Sequence, residues 1–115
     1  MKLTVDGNEV FAATGGQPFD AVQDSIVFVH GAGMDHTVWA LQTRYFAHHG
    51  RNVLAVDLPG HGRSAGAPLT SIEDVAAWLG RLLDAAGVST AALAGHSMGA
   101  LVALAAAATT SFGNA

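Results

Sequence analysis

The chain has 115 residues, half of them hydrophobic, and nine acidic against five basic residues give it a formal charge of -4. That is the length of one ordinary domain with enough apolar material for a core, and it holds no Lys/Arg cluster to neutralise phosphates or seek an anionic membrane, so neither a nucleic-acid nor a membrane partner is expected. The absence of cysteine excludes a disulfide, a thiolate nucleophile and a cysteine metal site.

The first sixteen residues, "MKLTVDGNEVFAATGG", lack the uninterrupted apolar core of a signal peptide. The longest apolar run, Ala100 to Ala108, falls far short of the roughly 18 to 20 residues needed to cross a bilayer. A soluble, cytoplasmic chain is expected. Lys2 to Val5 and Val10 to Ala13 flank "DGNE", and Asp-Gly between two β-prone runs predicts a hairpin, because glycine adopts positive φ cheaply. After the glycine- and proline-marked loop "TGGQPFDAVQDS", the run "SIVFVH" reads as a strand buried on both faces that stops at Gly31.

From Thr37 to about His49, Val38, Trp39, Leu41, Tyr45 and Phe46 recur at three- and four-residue spacing. That periodicity predicts an amphipathic helix closed by Gly50. "NVLAVD" follows as a second buried strand, and "LPGHGRSAGAP" is loop. Ser71 and Asp74 form a capping-box-like start for a helix running to Gly87. "TAALAG" reads as a third buried strand, and the alanine-rich stretch from Ala100 to Ala108 as a closely packed helix. Strands alternating with helices at these lengths imply β-α-β crossovers and a parallel sheet, an α/β fold in a single domain without internal repeat or linker.

The chemistry concentrates in three turns that follow strands. In "GHSMG", Ser97 stands at a strand-to-helix junction, where it is forced into strained backbone geometry and Gly95 and Gly99 must be small for strand and helix to approach. The helix N-terminus aims its free amides at the same spot, suited to a developing oxyanion. "HGAGMDHTVW" begins at His30, directly after the first buried strand, with small residues that let a backbone amide face a site. "VDLPGHGRS", from Val56 to Ser64, is another polar turn after a strand.

In this order and at these separations, the three segments resemble the α/β-hydrolase superfamily. "HGAGMDHTVW" looks like its oxyanion loop, "DLPGHGRS" like its Asp-x-x-Gly-x-Gly-x-Ser signature and "GHSMG" like its nucleophile elbow. The resemblance covers residues 25 to 108, with 1 to 24 as the initial hairpin and loop and 109 to 115 as an atypical tail. It implies Ser97 as nucleophile and the backbone N–H groups of Ala32 and Met98 as oxyanion hole. His30, Gly31, Gly33, Gly95, His96 and Gly99 shape the site, and Asp57, Gly60, Gly62 and Ser64 are structural positions near the pocket rim. His96 is expected to point away from Ser97, and Met34 and Trp39 to line an acyl pocket. The implied activity is hydrolysis of an ester, thioester or lactone in a small-molecule acyl substrate through an acyl-enzyme. Acyltransfer, carbon-carbon hydrolysis and haloperoxidase chemistry stay open, and no cofactor is implied.

A serine hydroxyl becomes a useful nucleophile when an imidazole takes its proton and a carboxylate orients that imidazole. In this superfamily the acid and the histidine follow the serine, but no Asp, Glu or His follows Ser97. His36, His48, His49 and His61 have no carboxylate at a diagnostic spacing, and no His-Glu-x-x-His pattern suggests a metal. The expectation is therefore the N-terminal half of such a fold, an incomplete three-layer sandwich. Its "TAALAG" strand becomes an exposed edge, and only the 37–49 helix covers one sheet face. Self-association through that edge, or a complementary C-terminal half, is the expected partner. The alternative is an inert product acting as a binding or oligomerising module.

Overall fold

The computed structural model describes residues 1–109. The expected tail lies outside the described residues apart from Thr109. Strands β1 (Lys2–Val5) and β2 (Asn8–Ala13) form an antiparallel hairpin. Its turn is made by Asp6 and Gly7, both at positive φ (54° and 79°), as the Asp-Gly pair predicts. β3 (Ser25–Val29), β4 (Asn52–Val56) and β5 (Ala91–Gly95) are parallel, and the sheet order is β1-β2-β4-β3-β5 with β2 antiparallel to β4.

Alternation along the central strands divides the core. Val27, Val29, Leu54 and Val56 point to one face, where they pack with Val75, Leu79 and Leu82 of helix α2 (Ile72–Ala85) and with Val102 and Ala106 of helix α3 (Met98–Thr109). Phe28, Val53 and Ala55 point to the other, joined by Trp39, Phe46 and Ala47. Ser71 caps α2 by accepting a 3.0 Å hydrogen bond from the Asp74 N–H, and Gly87 leaves the helix at φ 74°.

The helix on the second face departs from its predicted form. Asp35 caps a short 3-10 helix (His36–Trp39) through the Thr37 N–H, and α1 proper is Ala40–Ala47. The tighter 3-10 turn shifts the phase of the side chains before α1. The face turned to the protein is Trp39, Thr43, Phe46 and Ala47, while Val38, Tyr45 and Leu41 are exposed, Leu41 by 81%. A small residue at 47 is needed there: a Cβ on Gly15 would sit 2.7 Å from that of Ala47.

β5 is an edge strand, as expected of an incomplete sheet, so it is only partly buried although its composition alone reads as a strand closed on both faces. Leu93 packs toward α2 and α3, Ala94 toward α1's side, and Ala92 is exposed. On α3, Leu101 and Leu104 are 57% and 70% exposed. An apolar helix face and an apolar strand edge thus lie side by side without cover among the described residues. None of the described helices is long and apolar enough to cross a membrane.

Candidate active site

Ser97 stands in the two-residue turn between β5 and α3 at φ +58°, in the left-handed region. Holding a non-glycine residue there costs about 1–2 kcal/mol. The surrounding packing enforces it. A Cβ on Gly95 would run into the carbonyl oxygen of Gly99, and one on Gly99 into the carbonyl oxygens of Val29 and His30. Strand and helix are therefore in backbone contact, and the turn has no room to relax. His96 N–H donates to Val29 O (3.1 Å), which ties the turn to β3. Gly99 N–H and Ala100 N–H donate to His96 O and Ser97 O, closing the first turn of α3 (2.9 and 3.0 Å).

The Met98 N–H opens that helix and donates to no acceptor among the described residues. Ser97 is solvent-exposed, and no described side chain hydrogen-bonds its hydroxyl. His96 is exposed too, its ring edge-on to Trp39 with centroids 6.4 Å apart. Trp39 packs against Phe28 (5.0 Å), and its buried Nε1 has no partner among the described residues.

The loop after β3 passes directly beside the elbow. An added Cβ on Gly31 would lie 3.2 Å from Ser97 Cβ, 3.3 Å from His96 O and 3.4 Å from Met34 Sδ, so glycine lets the loop come this close. The Gly31 carbonyl accepts from His30 Nδ1–H (2.7 Å) and from Met34 N–H (3.2 Å). A trans peptide holds its C=O and N–H on opposite sides, so pinning this carbonyl also fixes where the Ala32 N–H points. That N–H makes no hydrogen bond among the described residues. His30 is in turn held by Leu58 N–H donating to its Nε2 at 3.0 Å. Burial first, then the neighbouring His61, lowers the His30 pKa, while the carbonyl of Gly31 acts in the opposite sense. Because Nε2 accepts from Leu58 N–H and Nδ1 faces the Gly31 carbonyl, the proton of the ring is on Nδ1.

The loop after β4 explains its own motif. The fully buried Asp57 carboxylate accepts from His36 N–H (2.7 Å), His36 Nδ1–H (2.9 Å) and Arg63 N–H (2.8 Å). Gly62, at φ 52°, passes so close that a Cβ would strike that carboxylate, and a Cβ on Gly60 would strike the Pro68 ring. Ser64 Oγ donates to Asp57 O (2.6 Å) and accepts from Phe11 N–H (3.0 Å), tying the loop to β2. Asp35, His36 and Asp57 have ligand-capable atoms within 4.8 Å of one another. They are already engaged as acceptors and donors of the loop, with Asp35 held below the usual carboxylate range first by the Thr37 hydroxyl and then by the Thr37 N–H.

Sequence spacing gives His36 no carboxylate partner, and the structure corrects this. His36 and Asp57 are 21 residues apart and meet because β3 and β4 are neighbours in parallel register. His61 is also more than a loop residue: its Nε2 accepts from Gly33 N–H at 3.2 Å and its Nδ1–H donates to Pro59 O at 3.0 Å. The Asp57, His30 and His61 contacts link the loops after β3 and β4, whereas the elbow residues Gly95, His96, Ser97, Met98 and Gly99 come from one continuous segment.

Residues 26–114 match the model of the Alpha/beta hydrolase family. The (E)-2-((N-methylformamido)methylene)succinate hydrolase of Acinetobacter baylyi is 35% identical over 80 residues, which are 69% of this chain and 30% of that protein. Among solved structures, a bacterial membrane phospholipase A superposes with a TM-score of 0.85 at 28% identity, over 95% of this chain and 34% of that one. Est816, an N-acyl homoserine lactone degrading enzyme, superposes at 0.78 and 28% identity, over 95% and 40%. The chain spans less than half the length of each.

Proposed function

The chain belongs to the alpha/beta hydrolase family, and on that premise we propose that it carries the nucleophile half of a serine hydrolase site. Ser97 Oγ attacks the acyl carbonyl of an ester, thioester or lactone. The Oγ–acyl bond forms, the bond to the alkoxide or thiolate leaving group breaks, and water later releases the acid. The N–H groups of Ala32 and Met98 receive the carbonyl oxygen as it becomes negative, and the dipole of α3 adds to them. The carrying observation is the strained Ser97 at φ +58°, locked between two glycines that admit no side chain. Strain held in place by such packing, in an exposed strand-to-helix turn, supports the reading of Ser97 as a position kept for chemistry.

The imidazole that takes the serine proton, and the carboxylate that orients it, come on this reading from a complementary C-terminal half that pairs with the β5 edge and covers Leu101 and Leu104. No described imidazole hydrogen-bonds the Ser97 hydroxyl: His48 and His49 bond carbonyls of α1, and the His96 ring meets Trp39. His30 and His61 have their Nε2 atoms occupied by backbone N–H groups, and His36 faces Asp57. The same observation favours a second reading, in which the chain is inert as a catalyst and acts as a binding or oligomerising module.

A fluorophosphonate probe separates the two. With imidazole added to stand in for the missing base, the first reading predicts a single adduct on Ser97 that disappears in Ser97→Ala. A chain that takes no label with or without imidazole supports the second.

A further inference from the structure

Beyond the elbow itself, the loop that bears the Ala32 amide is poorly braced by packing. Ala32 and Gly33 are exposed, Gly33 sits at φ +74°, and a Cβ built on it would meet nothing within 4 Å. Its shape must come from hydrogen bonds. The Gly31–Ala32 peptide is held through its carbonyl by His30 Nδ1–H and Met34 N–H. The next peptide, Ala32–Gly33, is held through its N–H, by His61 Nε2 alone among the described residues.

We propose that His61 is a positioning residue for the oxyanion loop: anchored at Pro59 O, it fixes the Ala32–Gly33 peptide by accepting the Gly33 N–H and so keeps the Ala32 N–H aimed at the reacting carbonyl. The inference rests on the serine hydrolase reading of Ser97. The ring is well suited to this. Its Nδ1–H is committed to Pro59 O at 3.0 Å, which makes Nε2 the acceptor and sets the tautomer. It leans on the His30 ring at 5.1 Å between centroids, tilted by 49°, so the two imidazoles brace successive peptides of the same loop. His61 reaches across from the segment after β4 to hold Gly33, and Leu58 of the same segment holds His30, 28 residues apart in each case. Two consecutive peptides fixed at opposite ends leave the intervening Ala32 little freedom to rotate its amide out of line. Fixed donors of this kind act without reorganising as charge develops.

The test uses the whole 115-residue chain with His61→Phe, which keeps a ring beside His30 but accepts nothing, and His61→Gln, whose amide oxygen restores an acceptor. Two readouts are taken: hydrogen exchange and chemical shift of the Gly33 amide by NMR, and the rate at which a fluorophosphonate labels Ser97 in the presence of imidazole. His61→Phe is expected to expose the Gly33 amide to faster exchange and to slow labelling about tenfold, less than the roughly hundredfold or greater loss on deleting an oxyanion donor outright. His61→Gln is expected to recover most of both, with far-UV circular dichroism unchanged throughout. Equal labelling of wild type and His61→Phe, or an unaltered Gly33 amide, overturns the proposal. A wild-type chain that takes no label overturns the serine reading instead, and the Gly33 amide then decides the positioning claim alone. Should His61→Phe fail to fold, His61→Gln against His61→Ala gives the same comparison.

Discussion

Gly99→Ala is the sharpest perturbation of the elbow. The new Cβ would lie 2.6 Å from His30 O and still closer to Val29 O, both main-chain atoms. Val29 O already accepts from His96 N–H at 3.1 Å, and Val29 is buried within the sheet. No flexible side chain can give way, so α3 must move off β3 by about 1 Å to restore ordinary contact. Overpacking of this kind costs typically 1–3 kcal/mol, and a clash with backbone on both strand and turn belongs at about 3 kcal/mol. For a chain of this size that is a fall of about 10 °C in melting temperature. Gly33→Ala is the matched control. It places the same methyl in empty space and meets only the left-handed strain of its φ of 74°, about 1–2 kcal/mol. Thermal and urea unfolding followed by circular dichroism give the comparison. A Gly99→Ala chain no less stable than Gly33→Ala would refute the claim that β3 and α3 are in backbone contact at the elbow.

Leu79→Ala, at a fully buried position between α2 and the sheet, is expected to cost about 2–5 kcal/mol in the same assay. His30 predicts an acid limit to stability. Burial lowers its pKa in the folded chain, so the unfolded chain takes up the proton first as pH falls through about 6.5. Its stabilising contribution is therefore complete above that pH and is lost below it, by at most about 1.4 kcal/mol per pH unit. Urea midpoints between pH 8 and 5 should fall with that sign, and more weakly in His30→Asn. The β5 edge, uncovered among the described residues, and the exposed Leu101 and Leu104 predict concentration-dependent self-association in sedimentation velocity. Leu104→Glu should reduce it, and a wild-type chain that stays monomeric up to high concentration would contradict the expectation.

What is legible in this sequence is what local chemistry decides. The Asp6-Gly7 turn, the β-branched runs at 25–29 and 52–56, the Ser71 cap and the strand-to-helix junction at Ser97 each follow from neighbours within a few residues. The facing of α1 does not. Val38, Leu41 and Tyr45 keep a helical period, but the Asp35-capped 3-10 turn precedes α1 and the close approach of Gly15 requires a side chain as small as Ala47 on the inner face. A short run such as "AALAG" reads alike in a central and in an edge strand, so β5's exposure rests on its place in the sheet. The His36–Asp57 and His61–Gly33 contacts are hidden for another reason. They join residues 21 and 28 apart, and only the adjacency of β3 and β4 brings them together. The signal available in the sequence was the pair of glycines around each loop, since Gly60 and Gly62 are required where the chain wraps Asp57.

The most direct test of Ser97 as nucleophile is acyl trapping with p-nitrophenyl acetate plus imidazole, followed by acid quench and peptide mapping by mass spectrometry. With no histidine placed to activate the deacylating water, acetyl is expected to accumulate on the peptide containing Ser97 and to be absent from that peptide in Ser97→Ala. Acetyl found only on Lys2 and the N-terminal amine, with Ser97 unmodified, would contradict it.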